Sequence, residues 1–233
     1  MTEQPYIGVI GAMASEIDAL KASLENAETV TVSGIDFVSG RLGNVDLVVA
    51  QCGIGKVFAA LCAQAMIMLF GPSLIVNIGV GGSLTPGLNI ADVGIGRAVV
   101  QHDMDTSGLG DPVGLISGIN RVELPCDEAA VAAMEKAAAA LGVHTETGVI
   151  ASGDLFVSDE SVKRRIVDRF SAIVCEMEGG AIAQVCYVNQ IPCVILRAVS
   201  DNGDSEAERA YTDALQRAAD VALAVLKAYL AAL

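Results

Sequence analysis

Basic side chains are scarce in this sequence. Only 14 of its 233 residues are Lys or Arg, against 28 that are Asp or Glu, and the formal net charge is −14. This charge argues against binding to nucleic acid, because a protein that holds a phosphate backbone needs clustered cations. The one basic run, Lys163-Arg164-Arg165, falls in a helical stretch and is expected to be a solvated helix face. We therefore expect no nucleic-acid partner.

Paired-cysteine motifs and long apolar runs are also missing. The six cysteines form no C-x-x-C pair and show no zinc-like spacing with the two histidines, which predicts buried free thiols in a reducing compartment. The longest apolar stretch, residues 57–70, is too short to span a bilayer and contains Gln64. The chain starts without a basic n-region, so we expect no secretory signal. These observations predict a cytoplasmic protein without a membrane partner.

Tryptophan is absent, and aromatic residues make up only 4 % of the chain, whereas 53 % is hydrophobic and 18 % is charged. Such a composition is unlike that of disordered chains and suits thin helices packed closely on buried parallel strands. It also leaves apolar surface to spare, which favours a homo-oligomer. Since no repeat or linker divides the sequence, we expect one domain over residues 1–233.

Short apolar runs alternate with helical patterns along most of the sequence. This alternation predicts an α/β fold, a central mixed β-sheet flanked by helices. Residues 105–126, rich in Gly and Pro, form a long irregular segment of the kind that often carries function. The predicted strands cover residues 6–11, 28–32, 35–42, 45–51, 74–80, 93–102, 145–152, 172–176 and 193–200. The predicted helices cover about 14–23, a stretch from 53–55 to 71, 128–141, 159–170, 179–189 and about 206 to the end.

Polar side chains follow several of these strands, where α/β folds place their ligands. Taken singly, Glu16 and Glu178 could be first-turn carboxylates favoured by the helix dipole, and Asp201 could be an N-cap. Taken together with Arg197, they are three carboxylates expected at one edge of the sheet, where they would repel one another unless they share a task. Cleavage of a glycosidic bond is such a task, because one acid protonates the leaving group and one base activates water.

Seven motifs in order along nearly the whole chain resemble the 5′-methylthioadenosine/S-adenosylhomocysteine nucleosidases of the purine nucleoside phosphorylase/nucleosidase superfamily. Seven ordered matches are far more specific than any one of them. They are residues 7–13 with Glu16, Gly53-Ile54-Gly55-Lys56, residues 77–82, His102-Asp103-Met104-Asp105, residues 152–156, Glu176-Met177-Glu178 and residues 197–201.

The resemblance implies an N-glycosyl hydrolase that needs no cofactor and no metal. Its expected substrates are 5′-methylthioadenosine, S-adenosylhomocysteine and 5′-deoxyadenosine, and its expected products are adenine and the 5-substituted ribose. This reaction belongs to methionine salvage and amino-acid biosynthesis. The resemblance also implies a homodimer in which residues 102–113 of one subunit help to close the other subunit's site.

The resemblance further implies roles for individual residues. Asp201 corresponds to the general acid that protonates N7 of adenine, and Glu16 to the residue that holds and activates water. Glu178 corresponds to the carboxylate that binds the ribose hydroxyls. The remaining implied substrate-binding residues are Ser200 beside the acid, Arg197 supporting Glu178 or the water, Met177 against the sugar, Phe156 and Val157 at adenine, and Met13, Ile54, Val80 and Tyr211 around the ribose and alkylthio group.

Three features depart from the family pattern. Val80 precedes the paired glycines where Ala is common, Tyr211 stands where Phe is expected, and residues 108–120 match loosely. These departures leave the reaction class unchanged and bear on the preferred 5′ substituent.

Four other functions remain as alternatives. A purine nucleoside phosphorylase needs cations for phosphate, but the first loop offers Glu16 and no Arg before Arg41, and the loop after residue 80 offers none before Arg97. A futalosine nucleosidase would use the same residues on another 5′ group. A non-catalytic nucleoside sensor is disfavoured by the intact acidic residues, and a dinucleotide-dependent oxidoreductase by the missing G-x-G-x-x-G pattern. The His102 motif could suggest a metal site, but it lacks a second cluster of ligands.

Overall fold

In the computed structural model, which describes residues 6–233, the apolar runs form the strands of one mixed sheet. Its strands are β1 (Ile7–Gly11), β2 (Glu25–Val32), β3 (Ile35–Leu42), β4 (Val45–Gln51), β5 (Leu74–Ser83), β6 (Val93–Gln101), β7 (Leu124–Pro125), β8 (Thr145–Ser152), β9 (Ala172–Glu176) and β10 (Cys193–Asp201). The helices are α1 (Ala14–Lys21), α2 (Lys56–Phe70), α3 (Glu128–Ala140), α4 (Glu160–Phe170), α5 (Gly179–Asn189) and α6 (Ala207–Ala231).

The centre of the sheet is parallel, and one side of it is an antiparallel meander. Strand β1 pairs in parallel with both β4 and β5, and β5 pairs in parallel with β10. Strands β2, β3 and β4 pair antiparallel in chain order. Every residue of β1, β5 and β10 is buried. Burial on both faces explains why their sequences are continuous apolar runs rather than alternating ones.

The other side of the sheet closes on itself. Strand β5 is ten residues long, and its far end, Gly82 and Ser83, pairs antiparallel with β9. Strand β9 continues in parallel to β8, β8 to β6, and β6 returns antiparallel to β10, which already lies beside β5. These five strands therefore form a closed ring, and the carboxyl ends of β5, β8, β9 and β10 meet on one side of it.

Helices cover both faces of the sheet. Helices α2 and α5 pack against each other on one side, while α6 packs on β5, β10, α1 and α3. Helix α6 runs for 25 residues and buries one face, on which Ala214, Ala218, Ala222 and Leu226 recur every four residues. Small residues at this spacing let the long helix lie close to the sheet. Among residues 6–233, no helix is both long and apolar enough to cross a membrane.

The predicted fold class is confirmed, and most element boundaries agree with the prediction to within a few residues. One prediction was wrong: the strand expected to end at Val80 continues through Gly81 and Gly82 to Ser83. Sheet pairing uses only main-chain groups, so glycines that suggested a loop can extend the ladder to β9 and β10. The irregular segment of residues 105–126 also contains a short 3-10 helix, Ser107–Leu109, and strand β7.

Candidate active site

The carboxyl ends of the ring strands surround a cavity of about 400 Å³. Its wall combines apolar side chains with four carboxylates, those of Glu16, Glu176, Glu178 and Asp201, and no Lys or Arg among residues 6–233 lines it. The lining residues are Ala12, Met13, Glu16, Ile54, Val80, Gly81, Gly82, Leu155, Phe156, Val157, Cys175, Glu176, Met177, Glu178, Ser200, Asp201 and Tyr211.

Glu16 is held in the cavity wall by main-chain donors. Its Oε2 accepts hydrogen bonds from the N–H groups of Ala12 at 2.7 Å and Met13 at 2.9 Å, and its Oε1 accepts one from Val80 at 3.1 Å. Burial raises the pKa of Glu16, against the opposing effects of Arg197 and of these N–H donors. Glu16 therefore combines both expected roles, since it caps the first turn of α1 and also presents its carboxylate to the cavity.

Asp201 is the last residue of β10 and is almost fully buried. Its Oδ2 accepts a hydrogen bond from the Ser200 hydroxyl at 2.8 Å, and its Oδ1 accepts one from the Gly203 N–H at 2.9 Å. Burial raises the pKa of Asp201, and the two hydrogen bonds only partly oppose this shift. Asp201 is not an N-cap, because α6 begins at Ala207 with Glu206 in the capping position.

Glu178 lies where β9 passes into α5, in the capping position of that helix, but its side chain makes no bond to α5. Instead its Oε1 accepts a hydrogen bond from the Gly55 N–H at 2.9 Å, and its Oε2 lies 3.7 Å from Nη2 of Arg197. Burial and the neighbouring Glu176 raise the pKa of Glu178 to about 7, although Arg197 and the Gly55 N–H lower it.

Arg197 is buried behind the cavity wall and does not line the cavity. Its Nη2 donates to Oε2 of Glu176 at 2.5 Å and to Oδ1 of Asn77 at 2.6 Å. Although burial works against its charge, the carboxylates of Glu176, Glu178 and Glu16 raise the pKa of Arg197. The guanidinium of Arg197 thus interacts with three carboxylates, and that of Glu176 is the nearest.

The polar network in and behind the cavity wall includes residues that the sequence analysis did not assign to the site. Oε2 of Glu176 accepts hydrogen bonds from the N–H groups of Glu178 at 3.0 Å and Gly179 at 2.7 Å, and the hydroxyl of Ser152 donates to Oε1. Asn77 donates to the carbonyl of Ile10 at 2.9 Å while it accepts from Arg197. A polar residue inside the apolar run of β5 was a signal that could have identified Asn77, because a buried amide needs partners.

The apolar part of the wall brings aromatic and sulfur-containing side chains together. The rings of Phe156 and Tyr211 meet edge to face with their centroids 5.6 Å apart, and the Tyr211 hydroxyl lies 3.2 Å from Sδ of Met13. Phe156 and Ile54 are exposed at the mouth of the cavity, so they form its rim rather than its floor.

The structure places all the predicted site residues at this cavity except Arg197, which lies directly behind it. The His102 motif lies outside the cavity wall. Asp103 forms an ion pair with Lys56 at 2.6 Å, and no cluster of three His, Cys, Asp or Glu side chains among residues 6–233 could hold a metal ion.

Comparisons with known proteins find relatives along nearly the whole chain. Residues 6–231 match the profile of the phosphorylase superfamily. The 5′-methylthioadenosine/S-adenosylhomocysteine nucleosidase of Shewanella sediminis (strain HAW-EB3) is 37 % identical over 214 residues, which cover 91 % of this chain and 93 % of that protein.

Two solved structures are similar over almost their whole length. The nucleosidase of the same name from Neisseria meningitidis, in complex with methylthio-immucillin-A, superposes with a TM-score of 0.95 at 33 % identity, covering 99 % of this chain and 100 % of that one. The futalosine hydrolase of Helicobacter pylori strain 26695 superposes with a TM-score of 0.94 at 34 % identity, covering 98 % of each chain.

Proposed function

This chain belongs to the phosphorylase superfamily and, within it, to the 5′-methylthioadenosine/S-adenosylhomocysteine nucleosidases, which are hydrolases of N-glycosidic bonds. We propose that it cleaves adenine from both 5′-methylthioadenosine and S-adenosylhomocysteine. The observation that carries the proposal is the charge of the cavity wall. Glu16, Glu176, Glu178 and Asp201 line it, and no cationic side chain among residues 6–233 does. A phosphorylase would have to bind a phosphate anion here, whereas four carboxylates favour neutral water as the nucleophile.

The proposed reaction divides the chemistry among Asp201, Glu16 and Glu178. Asp201 donates its proton to N7 of adenine, and the C1′–N9 bond breaks with its electron pair going to the base. Water adds to C1′, and Glu16 accepts the proton that the water releases. Glu178 binds the ribose hydroxyls and places negative charge near the oxocarbenium ion that develops at C1′.

The environment of each group supports its proposed role. A general acid must hold its proton near neutral pH, and burial raises the pKa of Asp201 in that direction. Three N–H donors fix the carboxylate of Glu16, so its orientation toward a water does not depend on a mobile side chain. Ser200 orients Asp201, and Arg197 supports the carboxylate of Glu178 from behind the wall.

The apolar wall would hold the rest of the nucleoside. We propose that Phe156 stacks on adenine, that the main chain of Val157 binds the edge of the base, and that Met177 packs against the sugar. The alkylthio group would then lie among Met13, Ile54, Val80 and Tyr211, the remaining apolar part of the wall.

Several finer points are proposals of the same kind. We propose 5′-deoxyadenosine as a third substrate and methionine salvage as the pathway. The likeness to a futalosine hydrolase supports a test of futalosine-type nucleosides as well. The six free cysteines, all buried, support a place in the reducing cytoplasm. A homodimer is supported by the exposed apolar residues of α2 near the cavity rim.

Release of adenine from methylthioadenosine, measured first without phosphate and then with phosphate added, tests the proposal. We expect rapid release without phosphate, with free methylthioribose as the other product, and no stimulation by phosphate. Activity that appears only with phosphate would identify a phosphorylase and contradict the argument from the cavity charge. Release from futalosine-type nucleosides alone would keep the reaction and replace the substrate.

A further inference from the structure

Three loops around the cavity are joined by a cluster of charged side chains that does not touch it. Nζ of Lys56, the first residue of α2, lies 2.6 Å from Oδ1 of Asp103, which follows β6. The N–H of Lys56 donates to Oδ1 of Asp154 at 2.8 Å, and the N–H of Asp154, which follows β8, donates to Oδ2 of Asp103 at 2.9 Å. We call Lys56, Asp103 and Asp154 the loop clamp. None of the three lines the cavity.

The ionisation of Asp103 agrees with this arrangement. Burial opposes its charge, but the hydrogen bonds from Lys56 and from the Asp154 N–H outweigh burial and lower the pKa of Asp103. The loop clamp is therefore held together by a charged carboxylate with two donors. Its three members follow three different strands, with Lys56 after β4, Asp103 after β6 and Asp154 after β8.

The loop clamp is linked to Glu178 through the peptide group of Gly55. Gly55 precedes Lys56, and its N–H donates to Oε1 of Glu178 at 2.9 Å. Its backbone has φ +99° and ψ 160°, a conformation that residues with side chains rarely adopt, and a Cβ there would lie 3.1 Å from Oδ1 of Asp154. Successive N–H groups at the start of α2 thus point to two carboxylates, that of Glu178 in the cavity and that of Asp154 in the loop clamp.

Helix α2 has no capping side chain of its own, because its N-cap residue is Gly55. Its first N–H groups are satisfied by residues 98 and 123 positions away in the sequence, Asp154 and Glu178. The position of the Gly55 N–H therefore depends on where the loop clamp holds Lys56.

We propose that Lys56, Asp103 and Asp154 are positioning residues for the reaction: they fix the Gly55 N–H on Glu178 and so orient the carboxylate that binds the ribose. This inference rests on the proposed role of Glu178. Loss of the loop clamp would let the start of α2 move, and Glu178 would lose its main-chain donor. Misplacement of a binding group by about 1 Å can cost about a hundredfold in rate.

Four variants separate positioning from simple stabilisation. Asp103→Ala and Asp154→Ala break the loop clamp, whereas Asp154→Asn retains an acceptor for the Lys56 N–H. Asp46→Ala is the matched control, because Asp46 and Asp103 each pair with one basic residue and both have side chains 30 % exposed, but Asp46 lies on the β3–β4 hairpin away from the cavity.

We expect both loop-clamp Ala variants to lower kcat/KM for methylthioadenosine by roughly tenfold or more, and Asp154→Asn to stay within about threefold of the wild type. The midpoint of the acidic limb of the pH profile should move up in both Ala variants, because the Gly55 N–H lowers the pKa of Glu178. The other charged or titratable groups that face Glu178 stay unchanged in every variant. They are Glu176, Arg197, Glu16, Cys52 and Tyr211.

A carbon-13 NMR titration of glutamate-labelled protein, with Glu178 assigned through Glu178→Gln, measures the same shift without turnover. If the wild type and Asp46→Ala release no adenine, the proposed function fails while the titration still tests the positioning. Unchanged kcat/KM and an unchanged Glu178 titration in both Ala variants, with only Tm lowered, would overturn the inference. Equal impairment of Asp154→Asn and Asp154→Ala would overturn it too. If Asp103→Ala does not fold, Lys56→Met removes the same ion pair and is held to the same expectations.

Discussion

The carboxyl groups of Asp201 and Glu16 have different surroundings in this site. Asp201 is buried at a strand end with only two hydrogen-bond donors, whereas Glu16 is held by three main-chain N–H groups near a buried Arg. The first environment favours a proton donor and the second an oriented acceptor. The proposed reaction requires this difference, because one carboxyl group must donate a proton and the other must accept one.

The role of Asp201 as the acid leads to the first prediction. Asp201→Asn should lower kcat by about a hundredfold or more, because general acid catalysis typically contributes about 10²–10⁴. The amide can still bond to the Ser200 hydroxyl and the Gly203 N–H, so we expect folding and the affinity for an adenine nucleoside analogue to change little. Steady-state kinetics and calorimetry measure the two effects. Asp213→Asn, on the exposed surface of α6, is the control, and substantial activity in Asp201→Asn would rule out its role as the acid.

The pH dependence of kcat/KM is the second prediction, since it reports groups of the free enzyme. Glu178 must be ionised to act on the developing cation, and its pKa is raised to about 7. As the pH falls through that value, Glu178 takes up a proton and kcat/KM should fall. As the pH rises, Asp201 loses the proton that it must donate, and kcat/KM should fall again. An acidic limb centred near 4.5, the ordinary value for a Glu carboxyl, would contradict this assignment of the limb to Glu178.

At the scale of elements, the close approach of β5 to α1 determines where Glu16 lies. Gly79 of β5 has no side chain at the point where a Cβ would come within 2.6 Å of Oε1 of Glu16. We expect Gly79→Ala to displace that carboxylate and to lower kcat by roughly tenfold or more. Kinetics together with a thermal melt would measure activity and stability.

Gly87→Ala is the matched control for this substitution, because a Cβ at Gly87 would also displace a carboxylate, that of Glu146, while neither residue lines the cavity and the φ of Gly87 lies outside the left-handed region. Wild-type kcat in Gly79→Ala would show that Glu16 can shift without cost. It would then count against a requirement for the observed Glu16 geometry.

The sequence was informative where an element is decided by local pattern. Strands β3, β4, β8 and β9 and helix α5 have the predicted bounds, because glycines, polar turns or a change of period mark both ends. The sequence was uninformative where a strand or a helix end depends on residues that are distant along the chain. The extension of β5 depends on β9, about ninety residues later, and the capping of α2 by Asp154 and Glu178 has no local signature.

The same distinction applies to the site. The residues of the cavity wall follow strand ends, where the fold class predicts a ligand site. Glu176 in the wall and Asn77 behind it both accept hydrogen bonds from Arg197. A contact between buried side chains of separate strands has no characteristic spacing in the sequence. Their roles follow from the position of a buried cation that must be neutralised.

At the scale of the whole molecule, the fold class follows from alternating patterns, but the closure of the sheet into a ring does not. Closure depends on β10 lying between β5 and β6, a pairing between segments more than a hundred residues apart. The high apolar content that predicted an oligomer corresponds to exposed hydrophobic residues in one region of the structure. Exposed side chains lie along α2 and at the cavity rim, and they are Ile54, Val57, Phe58, Leu61, Met68, Leu69 and Leu155.

This apolar face of α2 leads to the last prediction, that the protein is a homodimer and that the dimer is needed for full activity. Leu61 is 49 % exposed on α2, and Leu61→Glu would place a charge in an interface, whereas Val30→Glu, at a site 44 % exposed on the distant strand β2, would not. Sedimentation velocity should show a dimer for the wild type and for Val30→Glu, and a monomer for Leu61→Glu.

The activity of the monomer then shows whether the partner completes the site. A stable dimer buries about 1,200–2,000 Å² in total, and an interface that includes the cavity rim would bring partner residues to the open mouth beside Phe156. We therefore expect kcat/KM to fall in Leu61→Glu and to recover in part at high protein concentration, because association is a mass-action equilibrium. A dimer that persists in Leu61→Glu would place the interface elsewhere. A fully active monomer would show that one chain provides the whole site.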